Sequence, residues 1–84
     1  MKQVHIVISL FGSIYDGAWN EINSVWENIH KAEARIPIID KEMEYLASIP
    51  PPNEDSDEWN TWQEQHERGK EYINSYVTTR TILE

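Results

Sequence analysis

Residues 3–11 read Gln3-Val4-His5-Ile6-Val7-Ile8-Ser9-Leu10-Phe11. Val4, Ile6, Ile8 and Leu10 recur at period two, the repeat of a strand whose successive side chains point to opposite faces. Gln3, His5, Val7 and Ser9 take the other face. The stretch reads as a half-buried strand with the aliphatic set as its apolar face. Its apolar run is far too short to span a bilayer. No small-residue cleavage site follows it, so it is read as mature structure rather than as a leader.

Two turn signals come next, Gly12-Ser13 and Asp16-Gly17, because glycine accepts positive φ and Asp bonds nearby backbone. A second strand is expected from about Trp19 to Trp26, with Ile22, Ser24 and Trp26 on one face and Glu21, Asn23 and Val25 on the other. The two strands form a hairpin. At the far end, residues 75–84 are dense in β-branched side chains and predict a third strand. Antiparallel pairing with residues 3–11 is the expected arrangement. Either Val77/Thr79/Thr81/Leu83 or Tyr76/Thr78/Arg80/Ile82 could be its buried set.

Between these strands the period changes to that of a helix. Ala32, Ile36, Ile39, Met43 and Leu46 are spaced 4, 3, 4, 3, one apolar stripe running to about Ala47, with Asn28 as N-cap. Pro37 interrupts it and predicts a kink or two abutting helices. Pro50-Pro51-Pro52 ends the element. Trp59, Trp62, His66, Gly69 and Ile73 repeat at 3, 4, 3, 4 and mark a second helix, to about Asn74. Asp55 with Glu58 fits an acidic capping box, with Ser56 as the competing cap. Gly69 on the stripe implies close backbone approach, or else a C-cap that ends the helix early. The expected fold is α+β in the order β-β-α-α-β, as one domain over residues 1–84: a three-stranded antiparallel sheet with a helical hairpin on one face.

Composition narrows the function. Seven Lys and Arg stand against fifteen Asp and Glu, a formal charge of −8. Nucleic acid and anionic lipid repel such a chain, so neither is an expected direct partner. There is no cysteine, hence no disulfide framework, and the chain fits a reducing, cytoplasmic setting. No phosphate loop, zinc-protease helix or nucleophile elbow is present. His5, His30 and His66 fall on different elements. No enzyme, metal or cofactor is expected, and His66 is expected to be buried and hydrogen-bonded beside Trp62.

The candidate binding residues are therefore acids and aromatics. Asp57, Glu64 and Glu71 recur every seven residues, about 10.5 Å apart along a helix, and Glu58 thickens the start of the stripe. It reads first as a solvated helix face and second as a surface for a basic protein partner. Tyr15 and Trp19 flank the Asp16-Gly17 turn and are the candidate aromatic anchors, with packing of Trp19 over the sheet edge as the plainer reading.

Val4-His5-Ile6-Val7, the Asp16-Gly17 turn, Ser24-Val25-Trp26-Glu27-Asn28, Lys31-Ala32-Glu33-Ala34 and a β-rich closing strand together resemble small phage and bacterial proteins of unknown function. The resemblance covers about half of the chain and transfers no functional residue. The helix from Trp59 departs from that pattern. It implies an origin in a mobile genetic element, where small acidic proteins often inhibit host defence systems of the CRISPR or restriction type. The expected function is thus an accessory protein that binds and blocks a host protein, plausible targets being those that handle nucleic acid. A self-associating assembly module, through an exposed sheet face or edge strand, is the alternative.

Overall fold

The computed structural model describes residues 1–83. Its elements are β1 (Lys2–Ser13), β2 (Gly17–Trp26), α1 (Ile29–Ser48), α2 (Trp59–Glu71) and β3 (Tyr72–Ile82). β1 is the central strand of an antiparallel sheet in the order β2-β1-β3. The fold is α+β, in the β-β-α-α-β order expected from the sequence. Glu84, the last residue of the expected third strand, lies outside the described residues.

The hairpin turns at Gly17, which adopts φ +72°, and Ser13 Oγ accepts from the Asp16 N–H at 2.9 Å. α1 starts as its cap predicts. The Asn28 side chain accepts from the backbone N–H groups of His30 and Lys31 at 2.8 and 3.2 Å. It runs on as one helix with Pro37 inside rather than as two. Pro37 is exposed, so the Glu33 carbonyl that loses its helical donor can turn to water. Ile49 is extended ahead of the prolines, as X-Pro sterics require.

The acidic capping box does not form. α2 begins at Trp59 with Glu58 as an N-cap that makes no side-chain cap bond. Asn53 organises the preceding turn instead: its side chain accepts from Asp55 N–H at 3.1 Å and its carbonyl accepts from Ser56 Oγ at 2.6 Å. The helix also ends earlier than expected, at Glu71, because the chain turns extended at Tyr72. Gly69 is not its cap. A Cβ on Gly69 would lie 2.5 Å from Ala47 N and 2.6 Å from Met43 O, so α1 and α2 meet there backbone to backbone.

The sheet buries the opposite face of β1 from the one its aliphatic alternation suggests. His5, Val7, Ser9 and Phe11 are the buried residues, packed with Ala32, Ile39 and Met43 of α1. The flanking strands decide this. Antiparallel register puts Trp26 beside His5, and Trp19 and Tyr72 beside Phe11. Each large aromatic offers about 150–250 Å² to bury, which outweighs the four smaller aliphatic side chains of β1. Phe11 stacks on Trp19 (5.8 Å, 11°) and meets Tyr72 edge-on (5.6 Å, 68°). The polar members of this face are satisfied across the sheet, His5 by Thr79 and Ser9 by Ser75, both at 2.9 Å.

A second correction concerns β2. The register slips between Val7 and Ile8, so Val7 pairs with Ser24 and Ile8 with Ile22. Asn23 is the extra residue of a bulge, which inverts side-chain parity beyond it. Trp19, Glu21, Ser24 and Trp26 therefore share the helix side, and Ile22 and Val25 share the other. β3 turns Val77, Thr79 and Thr81 toward the helices and Tyr76, Thr78, Arg80 and Ile82 away.

Candidate interaction surfaces

Three surfaces qualify. At the hairpin tip, Ile14 and Tyr15 are 90% and 88% exposed. Trp19 does not join them. It is half-buried against Phe11 on the helix side, and its Nε1 donates to Glu21 at 3.1 Å. Beside the tip lies an open groove of about 510 Å³, lined by Ser13, Tyr15, Asp16, Trp62, His66 and Lys70 among others. Trp62 stacks on His66 (4.8 Å, 16°), as expected. His66 Nδ1, however, is buried without a hydrogen-bond partner, against the expectation of a bonded ring. Trp62 instead donates to the Ile49 carbonyl at 2.8 Å and ties α2 to the end of α1.

The acids form a shorter stripe than their spacing suggests. Helix α2 starts at Trp59, so Asp57 lies in the turn before it and Glu58 at its cap. Glu64 and Glu71 remain as a helical pair, Glu64 exposed and Glu71 half-buried. None of the four enters an ion pair among the described residues. Of the two cations of α2, Arg68 and Lys70, the first is engaged elsewhere. Arg68 grips Glu21 of β2 with two donors, at 2.9 and 3.2 Å, and lies 4.5 Å over the Phe11 ring. That contact, with a smaller contribution from the Trp19 N–H, holds the Glu21 carboxyl below the usual range.

The third surface is the sheet face away from the helices. Val4, Ile6, Ile8 and Leu10 of β1 lie along its middle, half-buried by their neighbours. Ile22 (70% exposed) and Val25 (57%) flank them on β2, with Tyr76 (41%) and Ile82 (45%) on β3. Tyr76 donates across the face to Asn20 Oδ1 at 3.3 Å. Charge sits at one end, where Lys2 forms an ion pair with Glu27 and Arg80 lies beside Val4. Amides sit at the other, Asn20 and Asn74 flanking Leu10.

None of the residues singled out in the sequence as binding candidates lies on this face. One signal for it was available. β1 carries apolar residues at both parities, the near-continuous run typical of strands covered on both sides, while two helices cover one side of a three-stranded sheet.

Among the described residues, no group of three His, Cys, Asp or Glu could hold a metal ion, and no helix is long and apolar enough to cross a membrane. No family model, no curated protein and no solved structure matches this chain.

Proposed function

We propose that this chain acts by protein–protein association, with the bare sheet face as binding surface and a second copy of itself as the occupant. One observation carries the reading: an apolar stripe from Val4 to Leu10, widened by Ile22, Val25, Tyr76 and Ile82, has no layer over it. Strands 4.8 Å apart and rising 3.4 Å per residue give the three-stranded face, taken over Lys2 to Leu10 so as to include Ile82, a footprint of about 440 Å². Contiguous apolar patches of several hundred Å² mark interaction sites. Two such footprints together approach the ~1,000 Å² at which specific interfaces begin. Like faces are complementary to each other here, apolar along the middle and polar at the ends, and two sheets packed face to face about 10 Å apart bury both stripes at once.

Sedimentation equilibrium from micromolar to millimolar concentration tests this. Wild-type protein is expected to pass from monomer to dimer, and Ile22→Lys to stay monomeric with unchanged circular dichroism. A wild-type chain that remains monomeric throughout overturns the reading.

A second reading keeps the acids. Asp57, Glu58 and Glu64 are exposed, all four candidate acids are outside any ion pair among the described residues, and the net charge is −8. On this reading the chain is a phage-type inhibitor that docks on the basic surface of a nucleic-acid-handling defence protein. The D57K/E58K/E64K/E71K variant is expected to lose a partner that wild type captures at low salt. Unchanged capture would remove the electrostatic basis of this reading.

A further inference from the structure

We infer that the second copy packs with its two-fold axis along β1, so that Arg80 of each copy meets Glu27 of the other. This inference rests on the self-association proposed above and specifies its geometry.

Two isologous arrangements place one bare face on another with the strands aligned, the two-fold axis lying in the interface plane. It runs either along the strands or across them. An axis along β1 stacks β1 on β1 and β2 on β3 of the second copy. The register then sets each position against its own kind. Val25 and Thr78 both flank Ile6, so they face each other across the interface. Ile22 and Tyr76 both flank Ile8, and Asn20 and Asn74 both flank Leu10.

At the charged end, Arg80 pairs with Val4 in register, and Glu27 follows Trp26, the partner of His5. Glu27 and Arg80 therefore stand on opposite sides of Val4, and the rotation sets each over the other's counterpart. Arg80 makes no ion pair among the described residues. The two Lys2 ammonium groups approach across the axis, each already paired with its own Glu27.

An axis across the strands reverses the face end for end. Arg80 would then cover Asn74 of the second copy, and Glu27 would cover Asn20. Both charges would lose water and gain no opposite charge, which is unfavourable. Charge complementarity thus selects the axis along β1. The sheets cross at about 30° because each is twisted, and the long Arg and Glu side chains at the corners span that offset.

Charge reversal tests the arrangement. Arg80→Glu and Glu27→Arg are each expected to weaken the dimer roughly tenfold, since rim charges that attract are made to repel. Mixed in equal amounts, the two variants should form a heterodimer of wild-type affinity, both corners being complementary again. A second measurement uses the absence of cysteine. Leu10→Cys should cross-link to itself through a short bis-maleimide, because Leu10 faces Leu10 of the second copy. With the axis across the strands these positions lie about 20 Å apart, six residues of strand rise, and no cross-link forms. A dimer insensitive to Arg80→Glu, or one without the Leu10→Cys cross-link, overturns the axis and leaves self-association standing. A chain monomeric at all concentrations overturns both.

Discussion

At the scale of single residues, three residues carry the contacts that fix the layers, and each gives a testable outcome. Gly69→Ala adds a methyl group where Ala47 N and Met43 O stand within 2.6 Å. Alanine gains about 1 kcal/mol of helix propensity over glycine, but the obstacle is backbone, which cannot rotate away. Overpacking costs ~1–3 kcal/mol and more where nothing yields, so urea denaturation should show a net loss of about 2 kcal/mol. Tyr72 donates to Asp40 at 2.5 Å and lies beside Ser75 at 2.7 Å. Burial and then the Asp40 bond push its phenol up to about 12. The folded state thus favours the neutral phenol. Its contribution is complete below the ordinary tyrosine pKa near 10 and fades as pH rises from there to about 12. Spectrophotometric titration should find one tyrosine ionising late, and Tyr72→Phe should remove it. Glu21 has the opposite sign. Its depressed carboxyl contributes stability above the ordinary glutamate pKa of about 4.3, and this is lost as pH falls through the lowered folded value. Arg68→Ala should return the Glu21 NMR titration midpoint toward the ordinary range and make acid unfolding less steep.

At the scale of elements, order was legible in the sequence and facing was not. Turn residues and changes of period punctuate the chain, so Asp16-Gly17, Asn28 and the three prolines separate β1, β2, α1 and α2, whereas the Gly12-Ser13 turn signal lies inside β1 and the unmarked α2–β3 boundary falls at Tyr72 rather than near Asn74. Facing depends on neighbours. β1 has an apolar set at each parity, and its own residues favour Val4, Ile6, Ile8 and Leu10. The burial of Phe11, Val7 and His5 follows from Trp19, Trp26 and Tyr72 arriving beside them, which is a tertiary fact. In β2, a bulge at Asn23 has no marker such as a glycine, yet it moves Val25 to the face of Ile22. An exposed sheet face was among the expected surfaces, but its residues were hidden by the same gap, because the bare face becomes visible once the covered one is known. Helix α1 shows the reverse case, where local chemistry suffices. Asn28→Ala removes the acceptor for two N–H groups and should cost about 1 kcal/mol, measured as a lower thermal midpoint. Pro37→Ala should raise that midpoint, since Pro37 is exposed and its replacement restores a helical hydrogen bond.

At the scale of the whole molecule, charge and apolar surface are set apart. The candidate acids lie on and before α2, and the bare sheet face carries its few charges at one end. The two functional readings then differ in the sign of their salt dependence. Two copies, each at −8, repel as they approach, and the Debye length shrinks from about 30 Å at 0.01 M salt to about 8 Å at 0.15 M. Salt therefore removes an opposing term while leaving hydrophobic burial in place. The Arg80–Glu27 contacts lose a little attraction, but two rim pairs are a small term against the net charge of both copies. Self-association should strengthen between 0.01 and 0.15 M salt. Docking on a basic partner depends on attraction between unlike surfaces and should weaken over the same range. Thermal unfolding reports the difference without a known partner. A dimer gains about 1.4 kcal/mol, or 0.7 per chain, for each tenfold rise in concentration, which corresponds to an upward shift of about 3–5 °C for a domain of this size. That concentration dependence should be present at 0.15 M salt, smaller at 0.01 M, and absent at both in Ile22→Lys. A thermal midpoint independent of concentration in wild type would leave the apolar face without a second copy and shift the balance to the acidic surface.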